Sequence, residues 1–228
     1  MSSQSPVPVR SQARANRARI LEAAISAFAA DPDASMDDVA KAAGVVRRTV
    51  YSHFPNREAL IEGLVAEASG AICSSLASGP PAPERADLAV AVLALRTWPI
   101  GDRFRVLLSF ARRELGEERI HDLLEPLRTI SVGNVERGQR EGMFSSYLSA
   151  ELLVAMYEGM TLTLLEHANR GAISDRGETF ATAGLVLLGL PPDDAVAVVS
   201  EAADWLADAD APVRRPAGNS VGAVGGWR

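Results

Sequence analysis

A chain of 228 residues with 47% hydrophobic and 23% charged residues has the composition of a folded globular protein, which excludes wholesale disorder. Aromatic residues make up only 5%, and β-branched residues do not alternate with polar ones, which excludes a strand-rich fold. The net charge of −6 argues against a nucleic-acid partner only if it is evenly spread; residues 1–60 hold eight Lys/Arg against six Asp/Glu, and residues 61–228 hold fifteen against twenty-three. A basic leading end on an acidic body suits a protein that touches phosphates with one end.

Residues 1–15 are rich in Ser, Gln, Pro and Arg without periodicity and read as a flexible arm that carries Arg10 and Arg14. The first helix is expected over about Asn16–Ala30, where Ile20, Leu21, Ala24, Ile25 and Phe28 share a face, and Asp31-Pro32-Asp33 ends it. Ser35 is a good N-cap, with Asp37 and Asp38 in the first turn where the helix dipole favours negative charge. Met36, Val39, Ala40 and Ala43 then give the apolar face of a short second helix, and Gly44 supplies a left-handed stop. A third helix is expected over Val46–Phe54, stopped by Pro55-Asn56. Asn56 caps a fourth that runs to about Ala77.

The stretch Ser78-Gly79-Pro80-Pro81-Ala82-Pro83 is the clearest interior break. Beyond it, helical patterns are expected at roughly Glu84–Thr97, Asp102–Leu115, Glu117–Glu141, Ser149–Asn169, Asp175–Leu188 and Asp193–Ala209. The chain therefore divides into an arm (1–15), a helix-turn-helix domain (16–60), a larger helical domain (61–209) and a disordered Gly- and Pro-rich tail (210–228).

The third helix carries the chemistry. Val50 and Phe54, four apart, pin it to the core, while Arg47, Arg48, Thr49, Tyr51, Ser52 and His53 present donors on the remaining surface. Such a helix fits a DNA major groove with its N-terminal side chains at base edges. Arg47 and Arg48 are the candidate base readers, because a guanidinium suits the two acceptors of guanine. Thr49, Tyr51 and His53 are candidate phosphate contacts. Arg57, at the start of the fourth helix, is a candidate phosphate clamp, and Ser35 at the second helix's N-cap completes the DNA-facing set.

Residues Ile20–Leu64 resemble the DNA-binding domain of the TetR family of bacterial transcriptional regulators. The matching elements are Ile20-Leu21-Glu22-Ala23-Ala24 leading to Phe28, Val39-Ala40 followed by Ala43-Gly44-Val45, Thr49-Val50-Tyr51, and His53-Phe54-Pro55-Asn56-Arg57-Glu58-Ala59-Leu60. The resemblance implies an all-α protein in which the larger domain binds a small effector and forms a homodimer. It further implies release from a palindromic operator when the effector binds. Val46 stands where the family often has a polar residue that caps the third helix. Arg48 stands where the family is often small.

In the larger domain Leu152, Leu153, Met156, Met160, Leu164 and Leu165 form one broad apolar face, and Phe180–Leu188 is apolar nearly all round. By the resemblance, these helices form a four-helix interface with their mates. Two half-sites about one helical turn of DNA apart, ~34–36 Å, require two recognition helices and hence a twofold dimer. An effector pocket between helices would be apolar with a few polar groups. Its candidate residues are Trp98, Phe104, Leu108, Met156, Met160 and Thr163, with Glu158 and His121 as polar partners; Glu158 requires a partner if it is buried.

Cys73 is the single cysteine, and His53, His121 and His167 have no metal-ligand spacing with it, so no metal and no cofactor is expected. No apolar run reaches the ~18 residues of a membrane span, and a cytoplasmic location is expected. No Ser/His/Asp or Cys/His spacing and no Gly-rich phosphate loop stands out, which speaks against an enzyme. The leading reading is a ligand-responsive, sequence-specific repressor that binds a double-stranded operator. The alternatives are a DNA-binding regulator without a small effector and an all-α enzyme.

Overall fold

The computed structural model describes residues 9–210, which form ten helices and, among those residues, no strand. The helices are α1 (Val9–Ala30), α2 (Met36–Ala43), α3 (Arg47–His53), α4 (Arg57–Ser78), α5 (Ala86–Arg103), α6 (Arg105–Leu115), α7 (Glu117–Arg140), α8 (Ala150–Asn169), α9 (Glu178–Leu187) and α10 (Pro192–Asp210). The all-α architecture agrees with the composition.

Two boundaries lie well away from expectation, while the others shift by no more than three residues. Helix α1 starts at Val9 rather than Asn16, because Val9–Ala15 contains no Gly or Pro and is dominated by Ala, Arg and Gln, which favour a helix. Of the expected arm, residues 1–8 lie outside the described residues, as does 211–228 of the expected tail. Helix α5 runs through Pro99 to Arg103 instead of stopping near Thr97. A proline removes one backbone donor, but here burial of Trp98 just before it and Phe104 just after holds the path of the helix.

The local stops and starts follow their residue chemistry. Ser35 caps α2 with a capping box, accepting from Asp38 N while the Asp38 carboxylate accepts from Ser35 N. Gly44 ends α2 at φ 63°, and its N–H reaches back to Ala40 and Lys41 carbonyls. The Asn56 side chain accepts from Ala59 N at 2.8 Å and starts α4.

Two apolar cores result. One gathers Ile20, Leu21, Phe28, Val39, Val50 and Phe54 from α1–α3 with Leu60, Ile61, Leu64 and Val65 of α4, and it also takes Phe104, Leu107, Ala111 and Ile120 from the body. The other lies among α5 and α7–α10, around Trp98, Leu153, Leu165, Phe180 and Leu185. Helix α4 packs on α1, α5, α6 and α7 and so crosses the boundary expected at residue 60. Arg57–Ser78 is long and apolar enough to span a membrane by length and composition, contrary to expectation. Leu60, Ile61, Leu64, Val65, Ala68 and Ile72 are instead buried within the protein.

Candidate nucleic-acid interface and body cavity

Helices α2 and α3 meet at the Gly44 turn, and the turn is held from outside by Arg19, whose Nη2 donates to Ala43 O at 2.8 Å. Val50 is fully buried and Phe54 nearly so, which fixes α3 on one stripe as its spacing requires. Behind Phe54, Arg17 lies 5.3 Å from the ring centroid. Gly63 of α4 leaves room for the same ring, since a Cβ there would sit 2.7 Å from its edge. Arg17 and Arg19, which add to the basic charge of the leading end, thus also brace the head.

The remaining surface of α3 is open. Arg47, Arg48, Tyr51 and Ser52 are exposed, and Thr49 and His53 are half-buried. Arg47 is not free in direction: Nη1 donates to Asp37 Oδ2 at 2.8 Å, Nη2 to the Tyr51 hydroxyl at 3.3 Å, and the guanidinium lies 5.1 Å from the Tyr51 ring centroid. Asp37 Oδ1 is buried with no hydrogen-bond partner among the described residues. Val46, 70% exposed, makes no side-chain cap to α3, so it offers the first N–H groups of α3 no side-chain acceptor.

Two expected DNA contacts, Arg57 and Ser35, have partners within the protein. Arg57 points inward: its guanidinium donates to Pro32 O and Ala34 O, pairs with Glu114 at 3.4 Å and sits 4.5 Å from the Phe28 ring centroid. It fastens the α1–α2 turn and α6 to α4, because those two carbonyls lie outside any helix and require a donor. The exposed Ser35 hydroxyl donates to Asp38 Oδ2 at 2.6 Å within the cap. Ser35 together with Lys41 holds the Asp38 carboxyl down at about 2, with the Ser35 side-chain bond the largest cause.

In the body, α4–α9 enclose a cavity of ≈ 230 Å³. Its wall is largely apolar, with Val65, Ala68 and Ile72 supplied by α4 and Leu124 and Leu127 by α7. At one end Trp98 stacks on Phe180 with centroids 5.2 Å apart, and Tyr157 meets Phe180 edge-on at the same separation. Burial pushes the Tyr157 hydroxyl well above its ordinary range, so it stays neutral. Arg128 of α7 grips Glu158 of α8 with a two-point fork, Nε to Oε1 at 3.1 Å and Nη2 to Oε2. His121 lies on the wall and its Nε2 is 3.6 Å from Glu125.

Residues 20–64 match the model of the bacterial regulatory proteins of the tetR family. The amino-terminal domain is that of the tetR family. A segment of 57 residues, 24% of the chain, is 39% identical to the uncharacterized HTH-type transcriptional regulator TtgW of Pseudomonas putida, and covers 42% of that protein, less than half its length. Over most of the chain the fold is similar to that of solved regulators. The fatty acid degradation regulator FadR from Bacillus halodurans superposes with a TM-score of 0.61 at 19% identity, over 82% of this chain and 97% of that one. FadR from Bacillus subtilis in complex with stearoyl-CoA gives 0.61 at 18% identity, over 75% and 97%.

Against this tetR-type frame the expected pocket residues divide. Trp98, Leu108, Glu158 and His121 line the cavity. Phe104 does not; it is buried in the core shared by head and body. Met160 packs on the body core, Met156 is 44% exposed, and Thr163 is exposed with its hydroxyl donating to Gly159 O at 3.1 Å. Helix α8 turns its Tyr157, Glu158, Thr161 and Leu165 stripe inward, which places Met156 and Thr163 on its outer side. The roles of Asp37 and Arg128 are not visible in the sequence. Neither has a local spacing signal, since each finds its partner across a turn or between helices.

Proposed function

We propose that this chain is a dimeric, sequence-specific DNA-binding transcriptional regulator, a repressor that leaves a palindromic operator when a small molecule fills the body cavity. The observation that carries this reading is helix α3, anchored by Val50 and Phe54 and exposing Arg47, Arg48 and Tyr51 at the surface of the head. Arg47 and Arg48 read base edges, while Thr49, Tyr51 and His53 lie within reach of the flanking phosphates.

Dimerisation is supported by the apolar outer side of α8 and α9, where Leu152 is 48%, Met156 44% and Val186 39% exposed. A second copy would cover it by twofold symmetry, giving the pair of recognition helices that a palindrome requires. The effector reading is supported by the cavity itself, and a protein of the same fold, FadR from Bacillus subtilis, is known in complex with stearoyl-CoA. Helix α4 belongs to the head core and to the cavity wall together, so a ligand that favours one setting of α4 biases the head. The protein acts in the cytoplasm, where chromosomal DNA is accessible, and it carries out no catalysis.

Selection from random duplexes with the purified chain tests this reading. The expected product is an inverted repeat whose affinity falls with salt yet survives a scrambled competitor. Recovery of unrelated sequences, bound no better than the scrambled duplex, would overturn it.

A further inference from the structure

The charge balance of the cavity narrows what it accepts. The threonine and serine hydroxyls on its wall have spent their donors within their own helices: Thr97 on Leu93 O at 2.8 Å, Ser131 on Leu127 O at 3.0 Å and Thr161 on Tyr157 O at 2.8 Å. The Tyr157 hydroxyl is packed against Gly184 of α9. His121 is also on the wall, with its Nε2 turned toward Glu125 at 3.6 Å; Arg128 and Glu158 are the paired charges there, and the pair has bonding capacity in reserve. A guanidinium has five N–H donors, of which the fork to Glu158 engages one on Nε and one on Nη2. The Nη1 end of Arg128 makes no hydrogen bond among the described residues. The side chains of the pair are 19% and 36% exposed, so both are substantially withdrawn from water.

We infer that the cavity takes an uncharged, mostly apolar molecule with one acceptor oxygen, a carbonyl or ether, docked on the Arg128 N–H groups that Glu158 leaves open. This rests on the reading of the cavity as the effector site. An anionic ligand would have to face the Glu158 carboxylate or displace it, leaving a half-buried carboxylate unpaired; an ammonium would meet Arg128 in the same way. A neutral acceptor leaves the pair intact and adds a charge-assisted bond to it. Size points the same way. A volume of ≈ 230 Å³ lies below the usual range of drug-sized sites. The occupant is a compact molecule of one ring or a short chain.

Three probes with a common skeleton and different head charge decide the matter: benzylacetone (a ketone), hydrocinnamate (a carboxylate) and phenylpropylamine (an ammonium). Each is titrated into the full chain at neutral pH, with affinity read from the rise in melting temperature and from calorimetry. Benzylacetone is expected to bind about tenfold or more tightly than either charged probe. Glu158→Gln, which leaves Arg128 unopposed, is expected to shift the preference to hydrocinnamate, and Arg128→Gln to phenylpropylamine. A carboxylate or ammonium preferred by the unaltered protein overturns the inference, and so does the absence of binding by all three. The unaltered protein alone is decisive if either variant fails to fold. Operator binding is measured separately: specific DNA binding with a charged-probe preference sinks this inference alone, and ketone binding without specific DNA binding sinks the regulator reading alone.

Discussion

Asp37 and Arg47 are joined at 2.8 Å across the turn between α2 and α3, and together with the Tyr51 ring the bond fixes the direction of the guanidinium. Arg47, the proposed base reader, is thereby held before any DNA arrives. The carboxylate has a second effect, since it places a negative charge on a face that would approach phosphates. Asp37→Ala is expected to tighten binding to scrambled DNA, to steepen the salt slope by about one phosphate contact, and to lower the ratio of specific to non-specific affinity. Folding should be little affected, because Asp37 Oδ1 is already without a partner. Competition binding at several salt concentrations checks this; an unchanged ratio would mean that Asp37 has no part in orienting Arg47.

Arg47→Ala and Arg48→Ala should each cost about 1–3 kcal/mol of specific affinity and relax a different base position. Selection from random duplexes with each variant shows which position is lost. Loss of the same position in both would contradict separate readers.

Arg57→Ala should act on stability rather than on DNA. It leaves the carbonyls of Pro32 and Ala34 without their donor and removes the partner of Glu114, whose side chain is 25% exposed. A loss of about 2–3 kcal/mol in denaturant unfolding is expected, with the sequence preference of the remaining folded protein unchanged. Uniform weakening on all DNA with unaltered stability would restore Arg57 to the phosphates.

Met156→Glu places a charge on the outer side of α8 while leaving the cavity wall untouched. It is expected to yield monomers in light scattering and to reduce affinity for a full palindrome far more than for a half-site. A dimer of unchanged stability would move the interface elsewhere.

The Asp38 carboxyl, held down at about 2 by Ser35 and Lys41, has a lower pKa in the folded state than its ordinary 3.8. A depressed carboxyl contributes stability that is fully present above about 4 and is lost as pH falls toward about 2. Asp38→Asn should flatten the stability profile within that window, and Ser35→Ala should bring the Asp38 titration, followed by NMR, back toward 3.8.

How much is legible in the sequence depends on whether a residue's partner is near in the chain. The Ser35 N-cap, the left-handed Gly44 and the Val50/Phe54 anchor all follow from spacings of a few residues, and the structure has each of them. The resemblance at Ile20–Leu64 coincides with the family match at 20–64. The role of Arg57 is hidden because its partners lie at positions 32, 34 and 114, beyond the reach of any local pattern. Arg128 is hidden for the same reason, being thirty residues from Glu158. On α8 the apolar residues extend round both sides of the helix, so periodicity alone does not say whether Met156 or Leu165 faces the cavity. Packing decides that, and it turns Leu165 inward.

The sharing of one core between head and body bears on how such a protein can be recombined. Leu60, Ile61 and Leu64 of α4 sit in the same apolar cluster as Phe104, Leu107, Ala111 and Ile120. A chimera cut at residue 60, joining this head to a foreign sensor, would expose both halves of that cluster and lose the Arg57–Glu114 tie. The smallest transplantable unit is therefore not the stretch that looks like a domain in the sequence. It is that stretch together with α4 and the α6–α7 surface it rests on, so exchange among relatives should succeed only where the donor body brings a matching seat.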